Sequence, residues 1–164
     1  MKSEIIFTKD TTAATMYVRK IYATDAPTVW NYFTNPVLLD LWWAPQPWKC
    51  QTLKMDFREG GIWNYAMIGP ENAKHFAGTK YHEISPNRSF DMTDFFTDEK
   101  GEILKDLPSQ KWLLGFTGVE EGTKLTCNIH FKNIAEMEQI LEMGFEEGFK
   151  KALNQLEEIL TRRI

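Results

Sequence analysis

Residues 133–162 read NIAEMEQILEMGFEEGFKKALNQLEEILTR, and this stretch decides the architecture. Ile134, Met137, Leu141, Phe145, Phe149, Ala152, Leu156 and Leu160 recur at steps of three and four, the period of one helix face. Asn133 supplies an N-cap, and Glu136 stands three residues on, where a capping box places it. Glutamates gather near the start, while Lys150, Lys151, Arg162 and Arg163 lie toward the end, the sense a helix dipole favours. The expectation is one amphipathic helix of roughly 28 residues, about 40 Å long at ~1.5 Å per residue. Its apolar stripe must be buried, so the preceding chain has to supply a surface for it.

That chain reads as strands. Met16 to Ala23 (MYVRKIYA) is a β-rich run. Cys50 to Arg58 alternates and runs into Gly60-Gly61, a hairpin signal, and Ile62 to Ile68 follows with Trp63, Tyr65 and Met67 on one face. His75 to Ile84, Phe90 to Thr97, Lys111 to Val119 and Thr123 to Phe131 complete the series, separated by SPN, DEKG, a loop through Pro108, and EEG. About seven strands with hairpin-sized connections make an antiparallel sheet. Two short helices interrupt the run after its first strand. Asp25 caps Ala26 to Thr34, with Pro27 in the first turn; Asn35-Pro36 then ends that helix and begins VLLDLWW, which Pro45 stops. The class is α+β in the order β-α-α-β6-α, a curved seven-stranded antiparallel sheet wrapped around a long C-terminal helix. Residues 1–13 form an N-terminal arm and residues 14–164 a single domain.

The totals fit one folded unit of 164 residues, 43% hydrophobic and 26% charged. A net charge of −4 gives no general attraction to nucleic acid or anionic membrane. No apolar run reaches the length of a membrane span, and MKSEIIFTKD lacks the apolar core of a leader, so a cytoplasmic protein without membrane insertion is expected. Cys50 and Cys127 have no metal-ligand spacing and read as reduced, buried thiols. His75 and His82 fall on opposite faces of their strand, and His130 lies on a solvent-face phase. Neither a metal nor a cofactor is expected. P-loop, GxGxxG, GxSxG and RNP-type motifs are absent, and the aromatic residues do not alternate with basic ones, which argues against a nucleic-acid platform.

Three runs narrow the reading: VWNYFTNPVLLDLWWAP (residues 29–45), MDFREGGIWNYAMIGPE (55–71) and GTKYHEISPNRSF (78–90). With the terminal MGFEEGFKKALNQLEEIL, they resemble the Aha-type branch of the Bet v 1/START-like (SRPBCC) superfamily, homologues of the activator of the heat-shock-protein ATPase. The similarity covers roughly residues 14 to 162. It implies the helix-grip fold, with a cavity between sheet and C-terminal helix. The superfamily spans lipid carriers, cyclases, hormone receptors and cochaperone domains, so fold alone does not select among them.

The candidate pocket lining is Trp42, Trp43, Trp48, Asp56, Arg58, Trp63, Tyr65, Met67, Trp112, Phe116, Phe145, Gly148 and Phe149. Gly144 and Gly148 interrupt a good helix, and the missing side chains mean either close packing on the sheet or room for a ligand. If Gly60-Gly61 is a tight two-residue turn, Asp56 and Arg58 share a face with Trp63, Tyr65 and Met67 and form a polar floor. One bulged residue instead brings Leu53, Met55 and Phe57 to that face and sends Asp56 and Arg58 to solvent. The leading expectation is a non-enzymatic binder of a small hydrophobic molecule, in which DLWWAPQPW (residues 40–48) closes the cavity's end. The ordinary alternative is that the aromatic rings simply fill the core. A second class is a cochaperone-like interaction module that meets a protein partner near Trp42 to Pro47. A cyclase-like enzyme would need an acid/base pair aimed inward, for which Asp56, Arg58, Tyr81 and Glu83 are available. No catalytic residue is assigned, and a monomer or homodimer is expected.

Overall fold

The computed structural model describes residues 3–162. Its elements are β1 (Ile6–Asp10), β2 (Thr15–Tyr22), α1 (Ala26–Thr34), α2 (Pro36–Trp42), β3 (Lys49–Met55), β4 (Ile62–Ile68), β5 (Lys74–Ser85), β6 (Ser89–Thr97), β7 (Gln110–Val119), β8 (Gly122–Phe131), α3 (Ile134–Glu142) and α4 (Phe145–Arg162). The strands form one antiparallel sheet in the order β1-β2-β8-β7-β6-β5-β4-β3, so α1 and α2 bridge the sheet from β2 across to its β3 edge. This is the helix-grip fold. The sheet has eight strands rather than seven, because part of the N-terminal arm pairs with β2 from Ile6↔Arg19 to Asp10↔Thr15. IFTKD carries no apolar alternation, and β1 owes its strand character to the free edge of β2 that it covers.

Local chemistry accounts for the helix boundaries. The Asp25 carboxylate accepts from the Thr28 N–H at 3.0 Å, and the Asn35 side chain accepts from the Val37 N–H at 3.0 Å. Each cap satisfies a backbone donor that the first turn leaves open. Pro27 and Pro36 stand where a first turn tolerates proline. At the C-terminal helical region Asn133 accepts from the Glu136 N–H at 2.9 Å.

The single long helix expected from residue 133 onward is two helices. Gly144 adopts φ +87°, a left-handed conformation that ends α3, with its N–H donating to the Leu141 carbonyl at 3.0 Å. The Gly148 N–H then donates to the Gly144 carbonyl, which starts α4. A heptad-like stripe reads straight through such a break because a C-terminal turn keeps apolar residues at helical spacing on both sides. Met137 and Ile140 of α3 are buried, as are Phe149, Ala152, Leu153, Leu156 and Leu160 of α4, whereas Ile134 is exposed.

Alternation places the core on one face of the sheet. Met16, Val18, Lys20 and Tyr22 of β2 point inward with Leu125, Cys127, Ile129 and Phe131 of β8 and Trp112, Leu114 and Phe116 of β7. Lys20 is the anomaly in that pattern. Its ammonium reaches Glu157 of α4 at 3.1 Å and the carbonyl and hydroxyl of Ser3, each at 2.9 Å. A fully buried lysine is tolerated here because its charge is paired and its hydrogens are accepted. β1 adds a second tie to α4: Phe7 packs on Phe145, and Lys9 pairs with Glu146 at 2.7 Å. No described helix is long and apolar enough to cross a membrane.

Candidate ligand-binding site

Two aromatic clusters fill the space between sheet and helices. One gathers Trp30, Phe33, Phe57, Tyr81, Phe90 and Phe116 through edge-on and stacked contacts. The other is centred on Trp43, whose ring lies 5.6 Å from Trp63, 6.1 Å from Trp112 and 6.1 Å from Phe149. Tyr65 stacks on Trp63 at 4.1 Å, and Phe145 completes the group against Trp112 and Phe149. Trp42 joins the clusters, 4.7 Å from Phe33 and 5.4 Å from Trp43.

The strands explain why the second cluster converges. Cross-strand register sets Trp63 beside Thr79, Thr79 beside Asp94, and Asp94 beside Gln110 in one row across β4, β5, β6 and β7. Residues two apart on a strand share a face, so Tyr65 and Trp112 join that row from either side. The Gly144 turn starts α4 so that Phe145 and Phe149 meet Trp112. Trp43 enters from the end of α2.

A polar group lies inside this apolar surround. Asp94 accepts from the Thr79 hydroxyl at 3.1 Å and the Gln110 amide at 3.4 Å. Burial outweighs those hydrogen bonds and pushes its carboxyl up to about 7. Tyr65 and Tyr81 are pushed well above the ordinary phenol range, first by burial and then by the nearby Asp94 charge. Three buried polar atoms lack hydrogen-bond partners: the side-chain oxygen of Gln110, whose amide nitrogen donates to Asp94, and the indole nitrogens of Trp43 and Trp112 within the aromatic cluster. The Trp43 N–H lies near the Tyr65 hydroxyl but falls short of hydrogen-bonding geometry. A fourth such atom, Asn64 Oδ1, faces away, against Gly78. A buried polar group left without a partner costs about 1–3 kcal/mol, so three in one cluster need a reason.

The remaining candidate residues are distributed as follows. Trp63, Tyr65, Trp112, Phe145, Phe149 and Trp43 come together. Phe116 belongs to the other cluster, and Met67 lies at the end of β4, paired with Cys50 on one side and His75 on the other. Trp48 sits outside the cluster, half-buried against His75 at 5.2 Å. Trp42 is buried, its N–H donating to the Tyr32 carbonyl at 2.9 Å. Gly148 faces Pro45, and a β-carbon there would meet it at 3.5 Å, an ordinary contact, so packing does not demand the glycine.

Asp56 and Arg58 do not form a polar floor. The register slips between Thr52 and Lys54, so Met55 pairs with Trp63, and Arg58 and Asp56 bind each other with side chains 70% and 45% exposed. The bulge turns Met55 and Phe57 inward but leaves Leu53 outside. Glu83 is exposed as well, so of the four candidates for an inward acid/base pair only Tyr81 lies within. The Cys50 and Cys127 thiols are raised chiefly by burial, with the Asp40 carboxylate adding at Cys50, which suits inert core groups. Two open depressions on the surface are lined by residues such as Glu146, Lys150, Gln155 and Pro47, outside the Trp43 cluster except at its rim.

Asp94, Thr79 and Gln110 are absent from the candidates picked from the sequence. A signal exists: Phe90, Met92, Asp94 and Phe96 occupy one phase of β6, an acid in an otherwise apolar, inward series.

The fold is that of a helix-grip protein, with an aromatic cluster packed between the sheet and the C-terminal helix. The chain belongs to the family described as activator of Hsp90 ATPase homolog 1-like protein, whose model matches residues 23–161. No curated protein matches. Among solved structures, a protein of Mycobacterium smegmatis is 26% identical with a TM-score of 0.88, covering 96% of this chain and 97% of its own. A protein of Arthrobacter aurescens is also 26% identical, with a TM-score of 0.90 over 96% of this chain and 91% of its own. The AHSA1 protein of Silicibacter pomeroyi, 16% identical with a TM-score of 0.74 over 92% of this chain and 100% of its own, shares the fold.

Proposed function

We propose that the protein binds a small, largely hydrophobic molecule between the sheet and α4, within the Trp43 cluster, and performs no chemistry on it. The observation that carries this reading is the set of unpartnered polar atoms on Trp43, Trp112 and Gln110 within and beside the aromatic cluster. Aromatic walls with a few convergent polar groups are the usual composition of a small-molecule site. In the unliganded chain the rings close on one another, so binding requires Trp43 to part from Phe149. The left-handed turn at Gly144, immediately before Phe145, is a natural pivot for that movement.

A protein-docking role would draw little on Trp42 and Trp43, which are buried, and would keep Trp48, which is half-buried. It would have to use Val37, Leu41 and Leu53, which are 71%, 59% and 50% exposed.

The test is titration of isotope-labelled protein with a library of small apolar molecules, read at the indole N–H resonances. Binding in the cluster moves Trp43 and Trp112 strongly and leaves Trp42 nearly still, because its N–H is already engaged. Native mass spectrometry before and after organic-solvent extraction gives a parallel readout. A library that leaves Trp43 and Trp112 unmoved, with no mass adduct in either preparation, refutes the binding role.

A further inference from the structure

The charge balance of the cluster points to the kind of molecule it takes. Asp94 accepts from Thr79, Gln110 and the Phe95 backbone, lies within electrostatic reach of the Tyr65 and Tyr81 phenols, and is reached by no ion pair among the described residues. The groups acting on its carboxyl are Thr79, Gln110 and the Phe95 backbone N–H, and the titratable groups that feel its charge are the phenols of Tyr65 and Tyr81. Beside it stands a second acceptor, the Gln110 side-chain oxygen, buried and unpartnered. Two adjacent acceptors with aromatic faces around them suit a donor carrying positive charge. An anion would be repelled there, and a neutral guest would leave the carboxylate without a counter-charge.

Resting on the binding role proposed above, we infer that the ligand is an organic ammonium, an apolar body bearing one protonated nitrogen that pairs with Asp94 and donates to the Gln110 oxygen. The ammonium then lies among the Trp43, Trp63 and Trp112 rings, where a desolvated cation gains from the π faces. The free indole N–H groups of Trp43 and Trp112 are left for an ether, hydroxyl or carbonyl oxygen elsewhere on the same molecule.

Three isosteres separate this inference from the binding role itself: phenethylamine, phenethyl alcohol and phenylacetate, titrated into the full chain and followed at the Trp43 and Trp112 indole resonances. At about pH 8 the amine should bind roughly tenfold or more tightly than the alcohol, with phenylacetate weakest. Lowering the pH to about 5 protonates Asp94 and should bring the amine-to-alcohol ratio close to one, a readout that needs no variant. Asp94→Asn should flatten the amine-to-alcohol ratio at every pH. An alcohol or phenylacetate that binds as tightly as the amine at about pH 8, or an amine preference that ignores pH, overturns the ammonium but keeps a binding site. If none of the three moves either resonance, the ammonium falls, and the binding role falls with it only when the library and the mass measurement are silent too.

Discussion

Glu157 and Asp94 are carboxyl groups on inward faces, the first buried and the second half-buried, and the chain provides for them in opposite ways. Glu157 faces Lys20 at 3.1 Å and also accepts from the Ser3 N–H at 3.2 Å, so charge and hydrogen bonds are met from within. Asp94 has Thr79 and Gln110 as neutral donors and no cation among the described residues, and beside it stands the Gln110 oxygen without a partner. The first arrangement is complete and holds α4 to β2. The second has unmet hydrogen-bonding capacity, as expected of a site whose last component arrives from outside. A buried polar group is ordinarily paired, and one left open carries a cost that calls for a reason.

The comparison can be broken most forcefully at the paired end. Lys20→Ala leaves Glu157 buried and unpaired and should cost about 3–5 kcal/mol, whereas Lys20→Met with Glu157→Leu should cost far less, since the pair can be replaced by packing. Urea unfolding of the two variants decides it: equal losses would mean the pair is not the source of the stability.

At the open end the expected sign is reversed. The Asp94 carboxyl, raised to about 7, holds a proton in the folded chain that the unfolded chain releases near the ordinary value of 3.8. Stability is therefore lost as pH rises from about 4 to about 7 and changes no further above that. Asp94→Asn cannot ionise, so it should be more stable than the parent by roughly 2–4 kcal/mol at about pH 8 and nearly equal at about pH 3.5. A stability gap that does not widen with pH would show that Asp94 is better solvated than its surroundings imply.

The smallest effect sharpens the contrast within one dipeptide. Trp42→Phe breaks the bond to the Tyr32 carbonyl and strands that acceptor, while Trp43→Phe removes an N–H with no partner. Both delete the same atoms, so the difference isolates the hydrogen bond, and Trp42→Phe should be worse by about 1 kcal/mol. Equal losses in thermal unfolding would mean that the Trp43 N–H is satisfied after all.

Much of the architecture was legible because its determinants are local. Asp25 caps α1 as its sequence context implies, Asn133 caps α3 where the periodicity implies one longer helix, and the apolar alternation of β2 and β8 places the core face. The hairpin was less legible: DFREGGIW is compatible with two registers, and the slip between Thr52 and Lys54 depends on Asp40 of α2. That carboxylate binds the Thr52 N–H and hydroxyl at 2.9 and 2.7 Å. The division at Gly144 was hidden by a stripe that continues past it. Six of the aromatic residues that build the Trp43 cluster were recognisable from their phases, but Asp94 and Gln110 were not selected, since a lone acid in an apolar series gains meaning only from its cross-strand neighbours.

The sequence by itself determined the α+β class, the order of elements from β2 onward, the family and the aromatic supply, because caps, turns and side-chain periodicity are properties of neighbours along the chain. Only the tertiary structure decided which carboxyl is paired, which indole is engaged, where the terminal helix divides and which face Asp56 and Arg58 occupy. Those outcomes depend on register and on burial, and both arise from contacts between residues far apart in the chain. Lys20 meets Glu157 across such a distance; Asp94, by the same geometry, meets no cation of its own.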